Sequence, residues 1–314
     1  MTKENFPDLH RRGQITYVTM PDGMKLRTAS WPSEEDSRGI IVLVNGYREY
    51  MEKYAEFISD FLKRGFALYS LDHRGQGLSS RLLPDKMKCH ATNFDFFISD
   101  LHEVILTNVM SDARAKILPI YLVGHSMGGH ICLRYLHDFP GGIDKAVVMA
   151  PMIDMNLGRG VARNFLKFII RFFSRIGLRE AFSFGQKTGF PKERHFIKEQ
   201  LLTHDKERYA VEAQVIEKTP GLYVGGATFG WLDSALDSIQ KIQKADFMAP
   251  ISVPLLAVLA GDDQVVDSQA SRAILSDQEG VTLVTIKDAR HEIYRESDLY
   301  RDQLWQKMAK FLNF

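Results

Sequence analysis

The sequence is short of cysteine, of long apolar runs and of charge imbalance, and each shortage excludes a class of protein. Two cysteines in 314 residues, Cys89 and Cys132, without C-x-x-C spacing, exclude a disulfide framework or a thiolate metal cluster. Two reduced, half-buried thiols and a cytoplasmic location are the expectation. No stretch approaches the ~18 uninterrupted apolar residues of a membrane span. The opening MTKENFPDLHRRGQ carries no apolar core of signal-peptide length. Forty basic residues against thirty-nine acidic ones leave a formal charge of +1, so no global field points to nucleic acid, and no nucleic-acid partner is expected. Acidic metal loops and an H-E-x-x-H pair are missing too, so neither a metal nor an organic cofactor is expected.

What is present is ample material for a core: 45% of the chain is hydrophobic and 11% aromatic. QITYVTM and MKLRTASW flank Pro21-Asp22-Gly23 and read as a hairpin. Strand and helix then alternate. GIIVLV (39–44), FALYSLD (66–72), LPIYLVG (118–124) and IDKAVVMA (143–150) read as buried strands. Helices are expected over Tyr50–Arg64, Phe94–Met110 and Met127–Asp138. The rhythm fails from 152 to about 227 and resumes with a helix over Gly230–Gln243, a strand at 253–260, a helix over Gln269–Ser276, a strand at 281–286 and a closing helix from Asp298. Such alternation predicts an α/β fold with a mostly parallel sheet covered on both faces. The irregular middle reads as an insertion, giving a core of 1–150 and 229–314 interrupted at 151–228.

The segment YLVGHSMGGH places G-H-S-M-G (124–128) directly after a buried strand and directly before a helix. In that context G-x-S-x-G marks a nucleophile at a strained turn, with Gly124 and Gly128 where a side chain would collide. Ser126 is the candidate nucleophile. A serine hydroxyl needs a base, and the chain order of such sites is serine, acid, histidine. His291, in KDARHEIYRE beyond the last strand, meets that order. His125 flanks the serine and should point elsewhere, His130 lies a turn into the helix, and His195 and His204 fall in the insertion. LAGDDQVVD offers Asp262, Asp263 and Asp267 as the acid, of which Asp267 reads as a helix N-cap. An oxyanion hole needs two backbone N–H groups: Met127 supplies one, and Tyr47, in the loop after GIIVLV, is the candidate for the other.

With these residues the chain resembles the serine-lipase branch of the α/β-hydrolase fold, which includes monoacylglycerol lipases and bacterial lysophospholipases. That branch carries H-G-x-x-E-H after an early strand. Here N-G-Y-R-E-Y matches at Gly46 and Glu49 and departs at Asn45 and Tyr50. The closer likeness is to the lysophospholipases, through LDHRGQGLSSRLLPD (71–85), A-R-H-E-I (289–293) and G-W-L (230–232). The D-x-V-V that begins at Asp263 is similar to the family's acid, which selects Asp263 over Asp262. His73 and Arg74 in D-H-R-G read as structural.

The resemblance implies a hydrolase that cleaves the carboxylic ester of a single-chain lipid. A lysophospholipid is the first choice of substrate, with a monoacylglycerol lipase or a general carboxylesterase as alternatives. It also makes 151–228 a cap over the serine. Within that cap, residues 158–180 repeat a basic residue every fourth position, Arg159, Arg163, Lys167, Arg171, Arg175 and Arg179, among phenylalanines. The run reads either as a cap helix with solvated charges or as a surface for peripheral contact with the anionic inner face of a membrane. An aminopeptidase-like hydrolase would need a carboxylate-lined cap to hold an amine. Epoxide hydrolases and dehalogenases use an aspartate nucleophile. A non-catalytic binding protein on this fold would typically have lost a triad position.

Overall fold

Gly39–Val44 (β3), Phe66–Leu71 (β4), Ile120–His125 (β5) and Leu255–Ala260 (β7) are buried at every position, as strands sandwiched between helical layers must be. The computed structural model describes residues 12–33, 37–158, 160–186, 188 and 196–314. Together with Gln14–Thr19 (β1), Lys25–Trp31 (β2), Lys145–Met149 (β6) and Val281–Ile286 (β8) they form one eight-stranded sheet in the order β1-β2-β4-β3-β5-β6-β7-β8. The β1–β2 hairpin pairs antiparallel with β4, and all later pairings are parallel. In a parallel sheet every strand delivers its carboxyl end to one edge. That edge gathers the ends of β3, β5, β7 and β8, which carry the candidate site residues.

The helices are Ala55–Lys63 (α1), Asp95–Val104 (α2), Met127–Asp138 (α3), Gly160–Phe173 (α4), Lys206–Lys218 (α5), Phe229–Ile242 (α6), Ser268–Leu275 (α7) and Asp298–Leu312 (α8). The helix expected over Tyr50–Arg64 begins as a 3₁₀ turn at Met51–Tyr54. The Met51 N–H donates to Asp72 at 3.0 Å and Glu52 meets Arg27, so the first turn is drawn toward the core. The stretch expected as helix to Met110 widens after Val104 into a looser turn over Ile105–Val109. Cys89 and Cys132 are free thiols, fully buried rather than half-buried.

Between β6 and β7 lie α4 and α5, in the irregular stretch, and then α6. The run 158–180 is not one helix: after Phe173 it loosens, and Ile176 and Gly177 leave helical geometry. The orientation of α4 corrects the expectation of a solvated stripe at Arg163, Lys167 and Arg171, while Arg175, beyond its end, is exposed. Val161, Phe165, Phe168 and Phe172 are the exposed large apolar side chains of α4, Phe165 at 63% and Phe168 at 61%. The basic residues turn inward instead. Arg163 pairs with Asp154, and Lys167 lies 4.0 Å from the same residue. Arg171 reaches Asp237 at 2.7 Å and Asp233 at 3.5 Å. Core carboxylates thus fix the helix by its charges and leave its aromatic face outward. Arg179 donates to the Thr92 carbonyl, and Arg159 lies outside the described residues.

Candidate active site

β5 ends at His125 and α3 begins at Met127, leaving Ser126 alone to make the turn. Its backbone sits at φ 54°, ψ −117°, a conformation that costs a non-glycine residue roughly 1–3 kcal/mol. Three main-chain hydrogen bonds hold it there: its N–H donates to Met149 at 2.9 Å, and its carbonyl accepts from His130 and Met152, both at 3.0 Å. Close packing at the flanking glycines completes the turn. A Cβ on Gly128 would stand 2.1 Å from the Val44 carbonyl oxygen, and one on Gly124 would stand 2.6 Å from Cys132 Sγ and from the Gly128 carbonyl.

The structure brings the three expected side chains together across 165 residues of chain. His291 Nε2 lies 2.9 Å from Ser126 Oγ, and His291 Nδ1 lies 2.9 Å from Asp263 Oδ2. The carboxylate assigns the ring proton to Nδ1, which leaves Nε2 to accept from the hydroxyl. Asp263 is held by its other oxygen, which accepts from the N–H groups of Val265 and Val266 at 2.9 and 3.0 Å. Of the other two carboxylates, Asp267 caps α7 by accepting from Gln269 and Ala270. Asp262 is exposed, and among the described residues its carboxylate meets the Gln264 side chain at 3.3 Å.

Burial pulls the His291 pKa down, and the Asp263 carboxylate more than offsets it, so the net direction is upward. Burial likewise pushes Asp263 up, but His291 and the two backbone donors bring it below the ordinary carboxylate value. Two other buried histidines shift the opposite way. His73, beside the Asn45 carbonyl, is lowered to about 4 and His130, between Met152 O and Ser238 Oγ, to about 3, both by burial. They are neutral packing groups, and Arg74 is structural too, forked onto Asp100. His204 pairs with Glu296, and His195 lies outside the described residues.

The N–H groups of Tyr47 and Met127 have no acceptor among the described residues. Glu49 shapes the Tyr47 loop: it accepts from the Gly46 N–H at 2.7 Å, from Tyr54 and from Lys53 Nζ at 2.8 Å. Burial raises its pKa, yet Lys53 and His125 hold it well below the usual carboxylate range. Asn45, standing where the resembling family has histidine, donates instead to the Leu71 carbonyl at 2.9 Å.

Sequence reasoning missed two participants. His125 does turn away from the serine, and it turns toward His291, donating from Nε2 to that residue's carbonyl at 3.1 Å while Nδ1 faces Glu49. Lys53 gathers Glu49, Glu292 at 2.5 Å and Glu212 at 3.8 Å into one buried cluster, which Arg295 closes from the other side. The matched Glu49 was the one available signal for both.

A cavity of about 440 Å³ opens on Ser126 and His291. Part of its lining is apolar: Met155, Leu166, Ile170, Phe184, Phe229 and Val266. Part is polar: Arg48 with its hydrogen-bond partner Tyr223, and Lys53 with Glu49, Glu212 and Glu292 around it. Residues of the β6–β7 segment contribute to both parts. Among the described residues no cluster of three or more His, Cys, Asp or Glu could hold a metal ion.

The Hydrolase_4 family, described as serine aminopeptidase S33, matches residues 35–298. The chain is 29% identical to the probable lysophospholipase L2 of Haemophilus influenzae, covering 89% of this chain and 85% of that one. It is also 29% identical to lysophospholipase L2 of Escherichia coli K12, covering 98% and 89%. Among solved structures, a soluble variant of the Saccharomyces cerevisiae monoglyceride lipase superposes with a TM-score of 0.76 at 20% identity, covering 95% and 94%. A Bacillus coagulans carboxyl esterase gives 0.74 at 17%, covering 96% and 98%. At those identities the structural likeness establishes the α/β-hydrolase fold.

Proposed function

The chain belongs to the Hydrolase_4 family of α/β-hydrolases, and on that premise we propose that it hydrolyses the carboxylic ester of a single-chain lipid, a lysophospholipid before all others. The observation that carries this reading is the divided lining of the Ser126 cavity: one part suits an acyl chain and the other a charged headgroup. Lysophospholipase relatives matched over most of both chains support the same substrate class.

In this reading Ser126 Oγ attacks the acyl carbonyl as its proton passes to His291 Nε2. Asp263 holds the Nδ1–H tautomer and stabilises the imidazolium without itself being protonated. The N–H groups of Tyr47 and Met127 receive the oxyanion, each contributing on the order of 10²–10³ in rate. His291 then protonates the departing glycerol oxygen. Water, deprotonated by the same ring, releases the fatty acid. Residues 151–228 serve as a cap between the core segments 1–150 and 229–314.

The family description raises peptidase chemistry as a second reading. Glu49, Glu212 and Glu292 do line the cavity, as amine recognition would require. All three, however, lie within 4 Å of Lys53, and Arg295 stands 2.8 Å from Glu292 and 3.7 Å from Glu212. Three carboxylates already shared between two buried cations offer less to a free amine than an unpaired set would. The test is product release from lysophosphatidylethanolamine, the matched monoacylglycerol, a short p-nitrophenyl ester and an aminoacyl amide. The reading expects the highest kcat/KM on the lysophospholipid; preference for the short ester or the amide overturns it.

Peripheral membrane contact belongs to the same proposal, now assigned to the exposed aromatic face of α4 rather than to its basic residues. Partitioning of that face into the interface would bring the cap to its substrate. No helix among the described residues is long and apolar enough to cross a membrane.

A further inference from the structure

Two lysine or arginine side chains line the Ser126 cavity among the described residues, and they are placed very differently. Lys53 meets three carboxylates. Arg48 meets none. Its Nε donates to the Val224 carbonyl at 3.0 Å, its Nη2 to the Tyr223 hydroxyl at 3.1 Å, and the guanidinium lies near the rings of Tyr223 and Tyr47. All of these partners are neutral, so no carboxylate among the described residues compensates its charge. The buried Arg27, Arg74 and Arg208 each pair with at least one carboxylate, whereas half-buried Arg81, like Arg48, donates to main-chain carbonyls; of those two, Arg48 alone lines this cavity.

The backbone of Arg48 is unusual as well. It sits at φ +58°, the left-handed region that disfavours side-chain-bearing residues, and its N–H donates to Gln76 Oε1 at 2.7 Å. The chain therefore holds a strained residue and a neutral-partnered guanidinium at one position. That position directly follows Tyr47, whose N–H faces the reacting carbonyl in the proposed mechanism. In a lysophospholipid the phosphodiester lies only a glycerol away from the scissile ester. A guanidinium fork is the side chain best matched to phosphate oxygens.

We propose that Arg48 is the specificity-determining residue for the substrate's phosphate, receiving the phosphodiester anion while Tyr223 and Val224 hold the guanidinium in place. The assignment rests on the lysophospholipase reading and deepens it: the enzyme selects a single-chain lipid by its anionic headgroup linkage, not by chain alone. A monoacylglycerol of the same chain, which lacks the phosphodiester and its headgroup, should lose this contact.

The experiment compares wild type, Arg48→Met and Arg48→Lys on lysophosphatidylethanolamine and on the monoacylglycerol of the same chain, with thermal melting to verify folding. In wild type, sn-glycerol 3-phosphate should inhibit hydrolysis of a short ester competitively. Arg48→Met should lower the ratio of the two kcat/KM values at least tenfold, chiefly through KM, and weaken glycerol phosphate inhibition in parallel. Arg48→Lys, which keeps the charge and loses the fork, should fall between. An unmoved ratio in Arg48→Met, or equal losses on both lipids, overturns the assignment and leaves the lysophospholipase reading standing. A wild type that releases no fatty acid from lysophospholipid overturns both.

Discussion

His125 Nε2 lies 3.1 Å from the main-chain oxygen of His291, so the residue just before the serine steadies the backbone of the histidine that faces it. The opposite edge of the His125 ring lies beside Glu49, and Glu49 also accepts from the Gly46 N–H next to Tyr47. The loop carrying the proposed base, His291, and the loop carrying the proposed oxyanion donor, Tyr47, therefore converge on one buried carboxylate. Coupling of this kind fixes relative position at the sub-ångström level on which rate depends.

Replacing His125 with Phe keeps a ring and removes both polar contacts. The expected loss is about 10²-fold in kcat, with KM little changed, and about 1–3 kcal/mol of stability from the buried groups left without partners. Steady-state kinetics with a thermal melt separates the two effects. A kcat within about threefold of wild type would remove His125 from the positioning network.

The pH profile follows from the direction of the His291 shift. The ring accepts a proton only when neutral, so activity is lost on the acid side, and the Asp263 carboxylate moves that limb upward. The midpoint of kcat/KM should lie above the ordinary histidine value of 6.5. Asp263→Asn removes the charge that raises it: the limb should move to lower pH, and the rate should fall by roughly 10³–10⁴. An acid limb that stays in place in Asp263→Asn contradicts the pairing.

Much of this was legible in the sequence because its causes are local. Continuous apolar runs mark β3, β4 and β7, and the G-x-S-x-G turn declares itself through its glycines. Asp267 reads as a cap and is one. The outward face of α4 was not legible, because the carboxylates that draw Arg163 and Arg171 inward, Asp154, Asp233 and Asp237, reach them only through tertiary packing. His125 was hidden for the same reason: its partners Glu49 and His291 lie 76 and 166 positions away. Arg48 carries no motif at all. Its conspicuous features, a positive φ and the lack of a carboxylate, exist only once the chain has folded.

Gly128→Ala places a methyl group 2.1 Å from the Val44 carbonyl oxygen, where the neighbour is rigid main chain. Relief requires β5 and α3 to part from β3. A loss of about 3 kcal/mol or more is expected, at the severe end for one substitution. Chemical denaturation measures it, and a variant within about 0.5 kcal/mol of wild type would show that the turn yields easily.

For the proposed cap, triple substitution of Phe165, Phe168 and Phe172 with Ser should abolish co-sedimentation with lipid vesicles at little cost in stability, since these rings are exposed. Wild-type binding should persist at about 1 M salt, where the Debye length is only ~3 Å. Binding that disappears with salt would return the role to basic residues. By contrast, Arg163→Glu should destabilise the fold, because it sets a second carboxylate against Asp154.

The most direct measurement is covalent labelling by a fluorophosphonate, read by mass spectrometry alongside fatty-acid release from lysophosphatidylethanolamine. Wild type should be labelled on Ser126 and release fatty acid. Ser126→Ala should do neither, and His291→Ala should label at a rate lower by orders of magnitude. Labelling that survives in Ser126→Ala, or a wild type that neither labels nor hydrolyses, contradicts the assignment of Ser126 as the nucleophile.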